Sequence, residues 1–497
     1  CFFGGSFIVF IAMNPDVTYS VGNTISGTIY TNESQSGDVG AGVSVGLSVN
    51  GGAKTTTNTT GGGAFSFSSI TINANDTVLI FLDNAGSESN LITQAAGAVD
   101  IIGLEMYTDK IVLRHESAGP MTNALLAIAD DSGDDDIHYT AASSVTFDSG
   151  FELFIDSGTT FTPGDTVSVD DIDINGTFTM GINTVNVSGS FDATGGSFTS
   201  GGTTNFTSTS SETILSNGSS FSSVDFNGTG GEWTLQDGVT TLSSFQLTDG
   251  TLDTSGSNYS IDAESVAING GSLETNNSTV TATNNFTQTA GNISGDNPTI
   301  LSTNGDITVT NISVTDDLEF SAANGSIINN TGGALTADLL KLTSLNPLGS
   351  IGSRVSINAN NLDVSVTGGG AGIFLSETNT VTLDDIDTVS GNIDIEAAGS
   401  ITVTDVAAGT GGAGNVTLDS TAGSILSNAS TTVGDTIKLT ATSTVGTGGA
   451  FLSTTADTVD INGPDGIFIN QTGDVIIGGT NGLNATGGID FFATSSI

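Results

Sequence analysis

Two stretches of the chain, GNIDIEAAGSITVTD at residues 391–405 and GNVTLDSTAGSILSN at residues 414–428, are variants of one phrase that returns after a short interval. In each stretch apolar and polar residues alternate, which is the pattern of a β-strand with one buried face. Glycine, serine or asparagine separates the strand-like runs, and these residues are typical of tight bends. A unit this short cannot bury its apolar side alone, so the repetition predicts units that stack on one another.

The repetition extends towards the amino terminus. GTFTMGINTVNVSGSFDATGGSFTS from Gly176 aligns without a gap with GSLETNNSTVTATNNFTQTAGNIS from Gly271. Gly-polar-apolar phrases recur in this region at steps of roughly 20 residues, a period typical of solenoid repeats. If each unit makes one turn of a coil, equivalent strands pair in parallel about 4.8 Å apart. Residues 166–497 are therefore predicted to form a long parallel β-helix of roughly 15 turns. The aligned apolar residues are Phe178, Val185, Phe191 and Phe198 in one copy and Leu273, Val280, Phe286 and Ile293 in the other.

A second arrangement fits the same spacing. The two aligned segments start at Gly176 and Gly271, and this offset is close to the length of a small antiparallel sandwich domain. A string of such sandwiches is therefore the alternative. The two arrangements differ in whether a continuous parallel ladder runs through the chain.

The composition excludes several classes of partner. The 497 residues include 6 Lys or Arg and 53 Asp or Glu, which gives a net charge of -47. So few cations cannot form the basic groove that nucleic acid requires, and the charge repels anionic membrane surfaces. Val, Ile, Leu, Phe and Thr are abundant while only 6 residues are Pro, which favours an ordered all-β protein over a disordered acidic chain. No segment reaches the ~18 apolar residues of a spanning helix, so no transmembrane span is expected.

Three segments precede the repeats. Residues 1–16 are interpreted as the stub of a truncated precursor or a first strand; an intact signal sequence or a lipid-bearing Cys1 are the alternatives. Residues 17–110 contain alternating runs separated by Asn-Gly and Gly-Gly turns, which predicts an antiparallel β-sandwich. Residues 111–165 contain the helix-compatible MTNALLAIADD and the acidic run DDSGDDD, and are predicted to be an acidic connector or cap of the coil.

Several of these segments also resemble known families. GSIINNTGGALTADLLKLTSLNPLGSIGS and NLDVSVTGGGAGIFLSETNTVTL, with the two phrases quoted first, resemble the repeats of filamentous-haemagglutinin-like large exoproteins. This resemblance covers about residues 300–497 and implies a right-handed parallel β-helix that is secreted to the cell surface. TTGGGAFSFSSI at residues 59–70 resembles prealbumin-like or carboxypeptidase-regulatory-like modules of secreted bacterial proteins.

The acidic run DDSGDDD is the candidate metal site. Calcium takes several oxygen ligands, and a glycine in the middle of the run permits a tight turn that brings carboxylates together. The spacing is not that of an EF-hand, and a solvated acidic loop is the alternative. A bound calcium ion would stiffen the junction between sandwich and coil. The candidate ligands are Asp130, Asp131, Asp134, Asp135 and Asp136.

Parallel β-helices also serve as polysaccharide-degrading enzymes, which makes a lyase or glycosidase the principal alternative function. A glycosidase needs two carboxylates that face one cleft. Asp384 and Asp387 in TLDDID are one candidate pair, and DDIDING supplies Asp170, Asp171 and Asp173. The scarcity of Arg and Lys argues against a site that holds an acidic sugar, so we expect no catalytic activity.

Other chemistry has little support in the sequence. His115 and His138 are the only histidines, and neither lies in a nucleophile motif. A carbohydrate-binding surface requires aromatic platforms, and Trp233 is the sole tryptophan.

We therefore expect a non-catalytic structural rod that is secreted or displayed on the cell surface. Its role would be adhesion, surface display or formation of an extracellular fibre or matrix. Its expected partners are other copies of itself, or extracellular carbohydrate or protein.

Overall fold

The computed structural model describes residues 22–116, 119–130, 133–310, 312–329, 333–409 and 412–497, so residues 1–16 lie outside it. About 55% of the chain is strand and 2% is helix, and the chain is therefore all-β as predicted. Two compact units are present, one built from the described residues up to 121 together with 125–138, and the other from 122–124 and 139–497.

The amino-terminal unit consists of two small sheets. One has the strand order β4-β1-β7, and the other follows the pairings β3-β2-β5-β6-β8. β1 pairs antiparallel with β4, β2 with β3, and β5 with β6, which confirms the predicted amino-terminal antiparallel sheet. The elements are β1 (Asn23–Tyr30), β2 (Ser44–Val49), β3 (Thr55–Asn58), β4 (Ala64–Ile70), β5 (Thr77–Leu82), β6 (Asn90–Gln94), β7 (Ile101–Tyr107), β8 (Lys110–Leu113) and α1 (Asn123–Ala129).

Local sequence accounts for the turns and the core of this unit. Asn50 and Gly51 follow β2 and both have positive φ, at 52° and 64°. This left-handed conformation is what an Asn-Gly pair supplies at low cost in a hairpin turn. Every residue of β5 is buried, as its continuous run of apolar side chains predicts.

The second unit is a parallel β-solenoid of about 19 turns. Its first part contains β9 (Tyr139–Ala141), β10 (Val145–Phe147), β11 (Glu152–Ile155), β12 (Thr160–Phe161), β13 (Val167–Val169), β14 (Asp171–Ile174), β15 (Thr177–Gly181), β16 (Val185–Val187), β17 (Phe191–Asp192), β18 (Ser197–Ser200), β19 (Thr203–Phe206), β20 (Ser211–Leu215), β21 (Ser223–Leu235), β22 (Val239–Thr240), β23 (Ser244–Asp253), β24 (Ile261–Ala263), β25 (Ser265–Ile268), β26 (Ser272–Glu274), β27 (Thr279–Ala282), β28 (Phe286–Gln288), β29 (Asn292–Ser294) and β30 (Thr299–Ser302).

The remaining strands are longer on average, and several run through a bend. They are β31 (Ile307–Val309), β32 (Ile312–Ser313), β33 (Leu318–Ala322), β34 (Ile327–Asn329), β35 (Leu335–Ser344), β36 (Val355–Val366), β37 (Ile373–Glu377), β38 (Val381–Thr388), β39 (Ile393–Ala397), β40 (Ile401–Ala408), β41 (Val416–Ser420), β42 (Ile425–Val433), β43 (Thr436–Ala441), β44 (Thr444–Val445), β45 (Leu452–Thr455), β46 (Thr458–Asn462), β47 (Gly466–Gln471), β48 (Ile476–Ile477), β49 (Leu483–Asn484) and β50 (Gly488–Ala493).

The ladder of the solenoid is parallel from turn to turn. Val167 pairs with Val185, Ile261 with Val280, and Val381 with Ile401, so each strand meets its equivalent one repeat later. The alternative of separate antiparallel sandwiches is wrong. The segment at 139–165 joins the same unit, because Val145 pairs with Val167 and Thr160 with Thr177.

The predicted inward residues fill the coil. All eight apolar residues of the two aligned segments are buried, with at most 4% of their surface exposed. In the first turns they form a file of aromatic rings: Phe161 stacks on Phe178 with 5.3 Å between centroids, and Phe178 lies 5.5 Å from Phe198. Later turns carry Ile, Leu and Val in the equivalent places. Each fully buried side chain of this size stabilises the fold by about 1.5–3 kcal/mol.

The glycines of the repeated phrase allow turns to approach closely. A Cβ atom on Gly391 would overlap the carbonyl of Ala371, and one on Gly414 would overlap the carbonyl of Gly391. Asparagine side chains bridge other turns, as where Asn205 Nδ2 donates to Asn186 Oδ1 over 2.9 Å. These glycine and asparagine residues therefore serve contacts between turns as well as bends.

Candidate functional site

The acidic run of the amino-terminal unit is held by a lysine. Lys54, just before β3, places its Nζ 2.7 Å from Asp83 Oδ1 and 2.8 Å from Asp134 Oδ2. Asp83 directly follows β5, and only 8% of its surface is exposed to solvent. A charge-assisted contact of this length is among the stronger hydrogen bonds in proteins. The ammonium group thus joins the acidic run to two strands of the sheet.

Asp136 completes a cluster of three carboxylates. Carboxylate oxygens of Asp83, Asp134 and Asp136 all lie within 4.8 Å of one another. The Asp136 carboxylate accepts a hydrogen bond from the Asn84 backbone N–H at 2.9 Å, and its carbonyl accepts one from Asn90 Nδ2 at 2.8 Å. Three carboxylates at this spacing are a set of oxygen ligands that could hold a hard cation. The Lys54 ammonium already contacts two of them.

The electrostatics of this cluster follow from burial and from the lysine. The hydrogen bonds that Lys54 donates to Asp134 and Asp83 raise the pKa of Lys54, and the bond from Lys54 lowers the pKa of Asp83. Burial raises the pKa of Asp136 and of the nearby Glu88. The lysine therefore stabilises the charged form of Asp83, while burial favours the neutral form of Asp136 and Glu88.

The remaining residues of the predicted calcium site are arranged differently. Asp130 belongs to the end of helix α1, where its N–H donates to the Leu126 carbonyl at 2.8 Å. Asp135 is exposed, and Asp131 lies outside the described residues. The fold thus brings two members of the run, Asp134 and Asp136, to Asp83, which sequence reasoning missed because it lies far earlier in the chain. The sequence signal that could have identified Asp83 is its position directly after the apolar run that forms most of β5.

The aspartates of DDIDING have separate structural partners. Asp170 accepts hydrogen bonds from the Gly150 N–H at 2.8 Å and from Ser188 Oγ at 2.9 Å. The Asp171 carboxylate accepts the Ser190 N–H at 2.6 Å, and Asp173 accepts Asn175 Nδ2 at 2.9 Å. Most of these bonds connect neighbouring turns. These hydrogen bonds tie the three carboxylates to the ladder and to its bends.

The aspartates of TLDDID lie in a larger group on the later turns. Asp363 on β36 pairs in register with Asp385 on β38. One turn further, Asp405 occupies the position equivalent to Asp385, since Leu383 and Ile386 pair with Val403 and Val406 on either side. Asp387 lies two residues beyond Asp385 on the same side of its strand, close enough for the charge of Asp385 to act on it. We call Asp363, Asp385, Asp387 and Asp405 the acidic column.

Crowding shifts the protonation of the acidic column. Burial, followed by the charge and hydrogen bond of Asp385, raises the pKa of Asp387 to about 6. Burial also raises the pKa of Asp363, against an opposing effect of Lys341, and that of Asp405, where Asp385 adds to the shift.

A second carboxylate group lies on the neighbouring strands and contains its own cations. Arg354 Nη1 donates to Asp394 Oδ1 over 2.8 Å, and its Nε lies 3.7 Å from Glu396 Oε2. Glu396 pairs in register with Asp419; burial, followed by the charge of Glu396, raises the pKa of Asp419, and Lys438 opposes that shift. We call Arg354, Asp394, Glu396, Asp419 and Lys438 the compensated patch.

Two cavities on the solenoid bear on the enzyme hypothesis. One of about 320 Å³ lies beside Asp387, and among the described residues that line it Asp387 is the sole carboxylate. Another of about 440 Å³ contains two carboxylates, those of Asp316 and Asp338, among Thr and Asn side chains. Asp338 Oδ1 accepts a hydrogen bond of 2.7 Å from Asn360 Nδ2. The sequence pairing of Asp384 with Asp387 missed this second cavity.

Trp233 is completely buried in the coil, where its ring packs 5.2 Å from that of Phe226. It therefore offers no surface platform for a sugar ring. His138 Nε2 lies 3.5 Å from Glu88 Oε2 in the amino-terminal unit.

In comparisons with known proteins, no protein-family model, curated protein or solved structure matches the chain. Within the described residues, no helix has the length and apolar character needed to cross a membrane.

Proposed function

We propose that the chain is a structural segment of a secreted or cell-surface protein, with a role in adhesion, surface display or the building of an extracellular fibre or matrix. The observation that carries this proposal is the solenoid of about 19 turns, whose core is continuous while its outward residues are mainly Ser, Thr, Asn and Asp. Such a surface offers many weak hydrogen-bonding positions along its length rather than one reactive centre.

The sequence resemblance to filamentous-haemagglutinin-like exoproteins and to sandwich modules of secreted bacterial proteins supports the same proposal. Both groups consist of proteins that act outside the cell. The chain has one cysteine, so the stability of the proposed rod comes from packing and backbone ladders. Its partners would be other copies of itself, or carbohydrate or protein on a cell or matrix surface.

Electron microscopy of the purified full chain, combined with sedimentation over a range of protein concentration, tests the proposal. We expect slender particles that associate end to end or side by side, or that bind to an extracellular polymer in a pull-down assay. Particles that neither associate nor bind, and that shorten a polysaccharide instead, would overturn the proposal.

A glycosidase remains a second candidate because Asp316 and Asp338 share one cavity. Two carboxylates facing one cleft are the minimum for hydrolysis of a glycosidic bond. Release of reducing ends from a polysaccharide by the wild type, and its loss in both Asp316→Asn and Asp338→Asn, would establish this alternative.

A further inference from the structure

The acidic column places like charges on successive turns of a parallel ladder. Asp363 and Asp385 are direct partners in register, and Asp405 follows at the equivalent position one turn later. Adjacent turns of such a ladder lie about 4.8 Å apart. Asp387 shares its side of β38 with Asp385, and Ser365 is its partner on the preceding turn. Four carboxyl groups therefore occupy three consecutive turns.

The charged neighbours of the acidic column do not neutralise it. On the preceding turn Lys341 is the register partner of Asp363, but its Nζ also lies 3.6 Å from Glu319 Oε1. Asp384 on β38 adds a further negative charge that acts on Asp363. On the following turn Asp405 pairs with Thr431, which carries no charge. Among the described residues of these strands, Lys341 is thus the one cation beside the four carboxylates of the acidic column, Asp384 and Glu319.

We propose that the acidic column is a proton-binding device, in which Asp387 takes up a proton beside Asp385 when the surroundings become mildly acidic and thereby strengthens this part of the solenoid. Like charges that are held in register repel one another, and the repulsion falls as soon as one carboxylate becomes a carboxylic acid. The carboxylic acid then donates a hydrogen bond to the carboxylate beside it. The inference is independent of the proposed function, since it concerns the ladder itself.

The sign of the pH effect follows from linkage. A carboxyl group whose pKa is raised in the folded protein binds its proton more tightly there than in the unfolded chain. The pKa of Asp387 is raised to about 6, whereas an unfolded aspartate titrates near 3.9. The free energy of unfolding therefore increases as the pH falls from about 7 towards about 4.5.

Proton uptake by the native full-length protein measures the device directly. Potentiometric titration from about pH 7.5 to about pH 5 should record about one proton fewer per molecule in Asp387→Asn than in the wild type. Asp385→Asn should also reduce the uptake above about pH 5.5, because it removes the neighbour that promotes protonation of Asp387. Ser365→Ala is the matched control, since it changes the register partner of Asp387 without removing a carboxyl group. Its proton uptake should equal that of the wild type.

Thermal unfolding over the same pH range provides the second measurement. The melting temperature of the wild type should rise on acidification by more than that of Asp387→Asn, although both lose net negative charge overall. Equal proton uptake in the wild type and Asp387→Asn would overturn the proposal. Uptake lost in Asp387→Asn but unchanged in Asp385→Asn would show that Asp385 does not promote the protonation of Asp387 and would overturn the proposed role of the column. Circular dichroism at pH 7.5 verifies that each variant is folded.

Discussion

The acidic column and the compensated patch lie on neighbouring strands of partly overlapping turns, yet their negative charges are balanced in opposite ways. In the compensated patch Arg354 reaches past the turn of Phe374 to contact Asp394, which is the register partner of Phe374. In the acidic column the sole nearby cation, Lys341, lies at one end and is shared with Glu319. In the first arrangement cations offset part of the negative charge, whereas in the second most of it is left uncompensated and responds to protons.

The difference shows how a parallel solenoid converts sequence into electrostatics. Each side chain has its equivalents from the turns before and after as nearest neighbours, so a repeated aspartate stacks on itself. A long guanidinium side chain can bridge two turns. One lysine at the end of the acidic column cannot reach the carboxylates of all its turns. The position of a single cation therefore decides whether a repeated acidic residue adds rigidity or pH sensitivity.

The largest expected effect comes from disturbing the turn spacing on which both regions depend. Gly391 lies between β38 and β39, and a Cβ there would overlap the Ala371 carbonyl. We expect Gly391→Ala to lower the free energy of unfolding by roughly 3 kcal/mol, measured by urea denaturation. Gly369→Ala is the control, because open space surrounds a Cβ at that position, and a similar loss in both variants would contradict the proposed turn contact.

Removing the bridging cation should make the compensated patch behave like the acidic column. We expect Arg354→Met to cost roughly 2 kcal/mol, because the partly buried Asp394 loses a charge-assisted hydrogen bond. The variant should also gain stability on mild acidification. The double variant Arg354→Met/Asp394→Asn should be more stable than the single one. A single variant as stable as the wild type in urea would show that the cation does not compensate the patch.

The amino-terminal cluster extends the comparison to a third set of carboxylates, in which Lys54 is the cation. We expect Lys54→Met to cost about 1 kcal/mol, since the lysine side chain is 31% exposed and solvent weakens its ion pairs. Proteolysis should become faster at residues 130–136, and calcium should restore protection in the variant by taking the place of the ammonium. Wild-type protein that loses protection on addition of a chelator would instead support a resident calcium ion.

The smallest effect should come from adding a cation to the acidic column. Asp405→Lys places an ammonium group next to Asp385, and we expect a gain of about 0.5 kcal/mol at neutral pH because the position is exposed. The increase of melting temperature on acidification should become smaller. Asp405→Asn separates loss of the negative charge from gain of the positive one, and a lysine variant less stable than the asparagine variant would contradict the electrostatic account.

The solenoid was predictable from the sequence because the residues that its ladder requires recur once in each turn. Gly391 and Gly414 recur where turns approach closely, and Phe178 and Leu273 recur where side chains enter the core. The beginning of the coil was harder to recognise. Strands between Tyr139 and Phe161 pair into the same ladder but lack the Gly-polar-apolar phrase that marks the later turns.

The candidate sites were less predictable because they depend on register rather than on local pattern. Asp363, Asp385 and Asp405 are unevenly spaced along the sequence, and their alignment requires the irregularity in pairing between Leu362 and Asp363. Contact between Lys54 and Asp83 depends on the packing of distant strands. A sequence period identifies which turn a residue belongs to, but a one-residue shift moves its side chain to the other face.

The central claim is that one parallel ladder, with one sequence repeat in each turn, runs through the solenoid. A column of outward residues tests it, since Thr281 pairs turn by turn through Leu301, Ser321, Thr343, Ser365 and Asp387 to Ala407. Spin labels on cysteines at Thr281 and Ala407, with Cys1 replaced by serine, should be about 29 Å apart, six turns at ~4.8 Å. Labels at Ser321 and Ala407 should be about 19 Å apart. Broad distance distributions for both label pairs would contradict the ladder. So would a second distance that is not shorter than the first by the height of two turns.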